Sequence, residues 1–345
     1  MKYIDRIENF FLDFPSEGFA DMKLKLAIVG LGKIARDQHV PAIAATPGIE
    51  LVAVASWHDR LDGVPSFKNL DDLLVGAPEV EAVALCTPPQ GRHRLAAQAL
   101  DAGKHVLMEK PPGATVAEVA PLADLARAGG RTLFAAWHSR FAPAVAETRA
   151  RLSRSRIRSV RIDWREDVRV WHPGQDWLWE PGGLGVFDPG INALSILTAV
   201  LPDPVFVTRA DLLFPADKAA PIAAGLDLSD RSGLPIRAEF DFRQTGPQTW
   251  EIRIETEAGE IVLSRGGARL VQDGKVVIDE PEAEYPSLYR RFAALVDEGA
   301  SEVDLTPLGL VADAFLVGRH QVGAAFEDAF EDASPEDAST KGLGA

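Results

Sequence analysis

From Leu26 the chain runs through four continuous apolar residues into Gly30-Leu31-Gly32-Lys33-Ile34-Ala35. A strand with no polar alternation is buried on both faces, and a glycine turn at its end delivers the chain straight into a helix. Further runs of the same kind follow at Leu51 to Ala55, Ala82 to Cys86, His105 to Met108 and Thr132 to Ala136. Helical stretches such as Arg92 to Ala102 and Val116 to Ala128 lie between them. The alternation predicts an α/β domain over residues 23–142, a parallel sheet wound on both sides by helices. The glycine turn predicts a Rossmann dinucleotide-binding domain, with an ordinary glycine-rich strand-helix turn as the plain alternative: Gly30 permits the tight turn, Gly32 lets a pyrophosphate approach backbone N–H groups, and Ala35 allows close helix packing. Lys33 and Ile34 complete this part of the candidate cofactor site.

The pattern changes after a linking helix expected from Pro143 to Leu152. Ile157 to Trp164, Val205 to Leu213, Ile222 to Leu228, Ile236 to Phe242 and Trp250 to Glu255 read as longer strands, several alternating apolar with polar. That suits a large, mainly antiparallel sheet open on one face, with hairpin turns at Glu257-Ala258-Gly259 and Asp273-Gly274. Helices near Tyr285 to Glu298 and Leu308 to Phe326 are expected to close this second, α+β domain, residues 143–326. An open face asks for cover, so a homo-oligomer is expected, a dimer first. Residues 1–22 read as an N-terminal extension, with Ile4, Ile7, Phe10, Phe11 and Phe14 on a short amphipathic helix and Met22 as an alternative start. Residues 327–345 read as an acidic flexible tail, with Glu327, Asp328, Glu331, Asp332, Glu336 and Asp337 against Lys341.

At 345 residues the chain has room for two ordinary domains. A net charge of −15 argues against a nucleic-acid partner. No apolar run approaches the roughly 20 residues that span a bilayer, so no membrane partner is expected. The single cysteine, Cys86, closes no intramolecular disulfide, and the start of the chain lacks the charge pattern of a secretory signal. A cytoplasmic protein is the expectation, and no metal cluster is read from the sequence.

The end of the second strand sorts the two nicotinamide cofactors, because an acid there binds the ribose 2′-hydroxyl and repels a 2′-phosphate. Here the strand ends in Ser56-Trp57-His58-Asp59-Arg60. Ser56 stands where the acid is expected, and His58 and Arg60 can face a phosphate, so NADP is slightly favoured over NAD. Asp59 keeps NAD open, and a solvated surface loop is the plain alternative. Thr87-Pro88-Pro89 ends the third run at the sheet edge where cofactors lie; Cys86 beside it reads as a small buried filler. Glu109-Lys110-Pro111-Pro112 ends the fourth. On position alone Lys110 is equally a surface partner of Glu109 and an ammonium placed to stabilise charge on a substrate oxygen.

The glycine turn, Thr87-Pro88-Pro89, Glu109-Lys110-Pro111, and Gly182-Gly183 followed by Asp188-Pro189-Gly190-Ile191-Asn192 together resemble the glucose-fructose oxidoreductase, inositol dehydrogenase and rhizopine catabolism family, over about residues 23 to 326. Many members carry histidine where this chain has Asn192, which puts a histidine-based relay in doubt. The stretches Trp137-His138-Ser139-Arg140, Trp171-His172-Pro173-Gly174-Gln175, Trp177-Leu178-Trp179-Glu180-Pro181-Gly182-Gly183 and Val186 to Ser195 are similar to the bacterial L-arabinose and D-galactose 1-dehydrogenases of that family. The resemblance implies oxidation of the anomeric hydroxyl of a sugar with NADP or NAD.

Asp188 and Asn192, spaced i and i+4, share one helix face if Gly190 opens a helix; otherwise Asp188 is a helix cap and Asn192 a surface residue. Trp171, Trp177 and Trp179 cluster near His138 and Glu166 in the reading, offering ring faces to a pyranose and polar groups to its hydroxyls, although at least one of these rings should cover the core. The expected catalytic set is Lys110, Asp188 and Asn192. The expected cofactor set is Gly30, Gly32, Lys33, Ile34, Ser56, Trp57, His58, Thr87, Pro88, Pro89, Glu109 and Lys110. For the sugar it is His138, Glu166, Trp171, Trp250, Asp188 and Asn192. The expected reaction takes L-arabinose, D-galactose or D-fucose to its 1,5-lactone. An inositol or dihydrodiol dehydrogenase of the same family, or a non-catalytic sensor of dinucleotide and sugar, are the other readings.

Overall fold

The computed structural model describes residues 23–327. The proposed extension and all of the tail beyond Glu327 lie outside them. Strands β1 (Leu24–Val29), β2 (Ile49–Ala55), β3 (Ser66–Phe67), β4 (Ala82–Leu85), β5 (His105–Glu109) and β6 (Leu133–Ala136) form a six-stranded sheet in the order β3-β2-β1-β4-β5-β6. Every pairing in it is parallel. The continuous apolar runs have the expected cause, since successive residues serve opposite faces. Ala27 and Val29 pack with Ala96, Leu100 and Leu122 from two helices on one side, while Leu26 and Ile28 pack with Ala42 and Ile43 on the other. The edge strand β3 was not expected, being too short to show a period.

The second sheet has nine strands: β7 (Ile157–Arg165), β8 (Val205–Phe214), β9 (Ala223–Asp230), β10 (Ile236–Asp241), β11 (Thr249–Thr256), β12 (Gly259–Ser264), β13 (Arg269–Gln272), β14 (Lys275–Asp279) and β15 (Gly318–Val322). Their order is β14-β13-β12-β11-β7-β10-β9-β8-β15, antiparallel except for β7 with β10 and β8 with β15. Both hairpin turns fall at the expected places. At the second, Asp273 and Gly274 have φ of 49° and 75°, the left-handed pair a two-residue turn of this twist demands. Inward residues such as Ile162, Leu226, Phe240 and Ile254 pack on the helix Phe187–Val200. A Cβ on Gly190 would stand 3.1 Å from the Phe240 ring, so glycine lets this helix lie close on the sheet. The outer face carries charge, with Arg237 paired to Asp227 and Glu239, and Arg253 to Glu251.

Two expectations about the closing helices are corrected. The helix Glu284–Glu298 does not close the second domain; its stripe of Tyr285, Leu288, Tyr289, Phe292 and Leu295 is buried against the first sheet with Leu26 and Ile28. A helical period specifies a buried face and not its partner. Each of these rings and Leu side chains contributes about 2 kcal/mol to that docking. The last helix spans Thr306–Val317, not Leu308 to Phe326, and residues 318–322 instead add β15 to the edge of β8. Gly318 permits the turn, because a Cβ there would lie 2.4 Å from the carbonyl oxygen of Ala314. Pairing also covers N–H and C=O groups that a bare edge would leave open.

Candidate active site

At the carboxyl edge of the first sheet, Gly30 has φ of +93°, and a Cβ there would stand 2.8 Å from the Thr87 amide nitrogen. Glycine is required by backbone conformation and by the approach of the Thr87 turn. A Cβ on Gly32 would meet no atom within 4 Å, so that side of the turn is open, as a phosphate cradle needs. Thr87 Oγ1 and Gln90 Oε1 are buried at this edge with no hydrogen-bond partner among the described residues, polar groups that a bound ribose or amide would satisfy. The residues present fit a nicotinamide dinucleotide. Pro88 and Pro89 lie between these two groups, in the turn that leads to the helix Arg92–Asp101.

Trp57, His58, Asp59 and Arg60 are exposed beyond β2, and Ser56 is half-buried. The sequence reading missed Arg36, whose guanidinium reaches Asp59 at 3.1 Å and the carbonyl of Arg60 at 3.0 Å. Asp59 is thereby paired while both side chains stay exposed, and Lys68 lies 4.2 Å over the Trp57 ring. Lys33 turns to Asp37 one helical turn on, and Ile34 is exposed beside it.

Beneath the turn that carries Lys110 lies a buried polar network that was not legible in the sequence. Glu109 Oε1 accepts from Tyr285 Oη at 2.7 Å and lies 3.0 Å from His39 Nε2, while Oε2 accepts from the Lys110 amide at 2.6 Å. His39 Nδ1 lies 2.6 Å from Tyr289 Oη. Arg92, also buried, donates to the carbonyls of Thr87, Glu109 and Pro111, tying the two turns together. Burial by itself pushes the His39 imidazole down, but the neighbouring Cys86 sulfur and the Glu109 carboxylate outweigh it and raise it to about 10. Burial pushes Glu109 up, and the bond to His39 and its charge outweigh that and lower it to about 2. The two are a buried imidazolium and carboxylate.

The signs give a prediction. The raised His39 contributes stability that is whole below 6.5 and lost as pH climbs through about 10; the lowered Glu109 contributes stability that is whole above 4.5 and lost as pH falls through about 2. The pair's contribution to stability is therefore whole between pH 4.5 and 6.5. Glu109→Gln is expected to cost about 3 kcal/mol, or roughly 4 °C in Tm, inside that window. Thermal melts over pH should show the difference from the unmodified protein shrinking on both sides, and a constant difference contradicts the pairing.

Lys110 projects from this base toward the second domain. Its Nζ donates to Asp188 Oδ2 at 3.1 Å and to the Asp188 carbonyl at 3.0 Å. Asp188 is buried in the first turn of the helix Phe187–Val200, whose N-cap is Val186 with no side-chain cap, so the capping alternative for Asp188 does not hold. Asn192 follows one turn later, half-buried; the helix starts ahead of Gly190 rather than at it. Gly182 and Gly183 let the preceding loop fold tightly: a Cβ on Gly183 would lie 2.1 Å from the Trp177 carbonyl, which itself accepts from Gln90 at 3.0 Å.

On the far side of Asp188 the structure brings in His172, which stood in a quoted stretch but in no candidate set. Its Nδ1 is 3.8 Å from Asp188 Oδ2 and its Nε2 is 3.0 Å from Glu166 Oε1. Glu166 Oε2 accepts from Trp250 Nε1 at 2.8 Å. Trp250 lies 4.8 Å from the partly exposed Trp171 and 6.0 Å from Trp164, ring centre to ring centre. Trp179 is buried against Phe242, the core-covering ring that was expected. His138 does not join this group by a hydrogen bond: it pairs with Glu284 and stacks on Tyr285 at 5.1 Å.

A dinucleotide cradle on a parallel sheet, facing a lysine-carboxylate pair held between two domains, defines an oxidoreductase. Residues 24–136 match the oxidoreductase family with an NAD-binding Rossmann fold. The chain is 48% identical to a galactose 1-dehydrogenase of Pseudomonas fluorescens over 88% of its own length and 99% of the relative's. The chain belongs to this family, that of glucose-fructose oxidoreductase, inositol dehydrogenase and rhizopine catabolism, and is an enzyme. The crystal structure of a D-galactose 1-dehydrogenase from Rhizobium etli superposes with a TM-score of 0.85 at 55% identity, covering 89% of this chain and 99% of that one. A 3-ketoreductase from Actinomadura kijaniata, solved with NADP, shares the fold at 20% identity and a TM-score of 0.75, covering 87% and 99%. No helix among the described residues is long and apolar enough to cross a membrane, and no cluster of metal-ligating side chains occurs among them.

Proposed function

We propose that the protein oxidises an aldopyranose, L-arabinose, D-galactose or D-fucose, at C1 to its 1,5-lactone. The observation that carries this reading is the contact of Lys110 with Asp188 at the rim of the dinucleotide cradle, in a chain similar to galactose 1-dehydrogenases along nearly its whole length. The dinucleotide, when bound, supplies the acceptor for the C1 hydride. As the C1 hydroxyl loses its proton, negative charge builds on O1, and it passes into the new C=O bond when the hydride leaves. The Lys110 ammonium stabilises it, and Asp188 takes the hydroxyl proton directly or through Lys110, the two acting as one coupled pair. Asn192, one turn from Asp188, orients the hydroxyl. Trp171 and Trp250 present ring faces to the C–H side of the pyranose, and Glu166, fixed by Trp250 and His172, supports that wall. Subunits associate as dimers in this reading, in the cytoplasm, and light scattering measures the first point. A screen of aldoses with each dinucleotide, read at the reduced-nicotinamide band, tests the whole; no turnover on any of the three sugars overturns it.

For the dinucleotide we propose NADP at least as good as NAD. Ser56 leaves room for a 2′-phosphate, and Arg36, positioned on Asp59, offsets the charge that would repel it. Ser56→Asp is then expected to weaken NADP by several-fold or more in calorimetric titration while sparing NAD. A strong preference of the unmodified protein for NAD contradicts this part.

A further inference from the structure

We infer that His172 relays the proton released at the reacting carbon from Asp188 to solvent. The inference rests on the C1-oxidation reading, in which each turnover frees one proton beside Asp188. Asp188, the acceptor of the hydroxyl proton, is badly placed to shed it, with its side chain 5% exposed. Asn192, on the same helix face, cannot take up a proton at neutral pH. His172 meets Asp188 from another element, at the C-terminus of the short helix Val168–Trp171, and its side chain is 15% exposed, three times the value for Asp188.

The ring is held for the task. Glu166, buried, lies 3.0 Å from Nε2, and Trp250 in turn fixes the other oxygen of Glu166 at 2.8 Å. Phe242 packs on the imidazole with ring centres 5.5 Å apart. A carboxylate at Nε2 favours the tautomer with its proton there, leaving the Nδ1 lone pair on the side of Asp188. The 3.8 Å from Nδ1 to Oδ2 exceeds a hydrogen bond and is closed by a small side-chain rotation.

The step balances. The C1 O–H bond breaks and its proton goes to Asp188 Oδ2, while the electron pair left on oxygen becomes the second C–O bond of the lactone as the hydride departs. Asp188 passes the proton to His172 Nδ1. The imidazolium stands between two carboxylates, gives the Nδ1 proton to water or a buffer base, and so returns to the starting tautomer with its proton on Nε2. Because His172 acts through Asp188, it is a positioning and relay residue rather than a catalytic one.

The test uses the full chain with dinucleotide and the best aldose, comparing His172→Ala and His172→Gln with the unmodified protein. In weak buffer kcat is expected to fall on the order of tenfold in both. Added imidazole should restore most of it in His172→Ala with saturation, and dinucleotide affinity by calorimetry should stay near normal. A pH-indicator dye followed in stopped flow should show proton release lagging behind dinucleotide reduction in the variants only. Near-normal kcat in weak buffer, or a loss that imidazole does not move, overturns the relay and leaves the C1-oxidation reading intact. An unmodified protein inactive on every aldose removes that reading and the relay with it.

Discussion

Lys110→Met is expected to lower kcat on the best aldose by on the order of a thousandfold while leaving dinucleotide affinity within a few-fold. The expectation follows from where the ammonium sits. It projects from a turn pinned beneath by the Glu109 network and by Arg92, and its Nζ is directed to Asp188 by two contacts of 3.0 and 3.1 Å. A group so fixed needs little reorganisation when charge develops on a nearby oxygen, and that charge is largely absent in the ground state. Methionine keeps the length and the packing of the stem and removes only the charge. Steady-state kinetics with binding of the dinucleotide measured separately decide the matter: near-normal kcat returns Lys110 to a structural ion pair.

Asp188→Asn should reduce kcat by roughly a hundredfold or more, since the carboxamide keeps size and hydrogen bonds but accepts no proton at neutral pH. Stability is the control. With Val186 at the N-cap and no capping bond from the Asp188 side chain, the substitution removes no cap. What it removes is the counter-charge of Lys110, which keeps its bond to the Asp188 carbonyl at 3.0 Å. A Tm lowered by a few degrees or less together with the large fall in kcat is the expected pair of results. Normal kcat with normal Tm would take the proton-accepting role away from Asp188.

The parallel sheet was legible because burial on both faces writes itself as unbroken apolar runs, and the glycine turn because Gly30 and Gly32 answer two different demands, conformation and space. Lys110 and Asp188 were named through the resemblance of their motifs to the family, since position alone left Lys110 equally a surface partner of Glu109 and left Asp188 a helix cap. The remainder depended on contacts that no local pattern encodes. His39 and Tyr289 meet across 250 positions, and the stripe of the helix Glu284–Glu298 announces a buried face without saying which sheet receives it. Residues 318–322 look helical beside the preceding apolar turn, yet the open edge of β8 recruits them as a strand. Arg36 follows directly on the quoted glycine turn, and His172 stands within a quoted stretch. Their partners, Asp59 and the Asp188-Glu166 pair, belong to other elements, so only the assembled fold gives them a task.

The central claim is that oxidation occurs at C1. The most direct measurement is carbon NMR of galactose isotopically labelled at C1, incubated with the protein and NADP while reduced nicotinamide is followed in parallel. The account predicts that the labelled signal leaves the anomeric region and appears as a lactone carbonyl, later as the carboxylate of the opened acid, in step with dinucleotide reduction. A labelled carbon that stays anomeric while the dinucleotide is reduced would place the oxidation elsewhere on the ring and contradict the account.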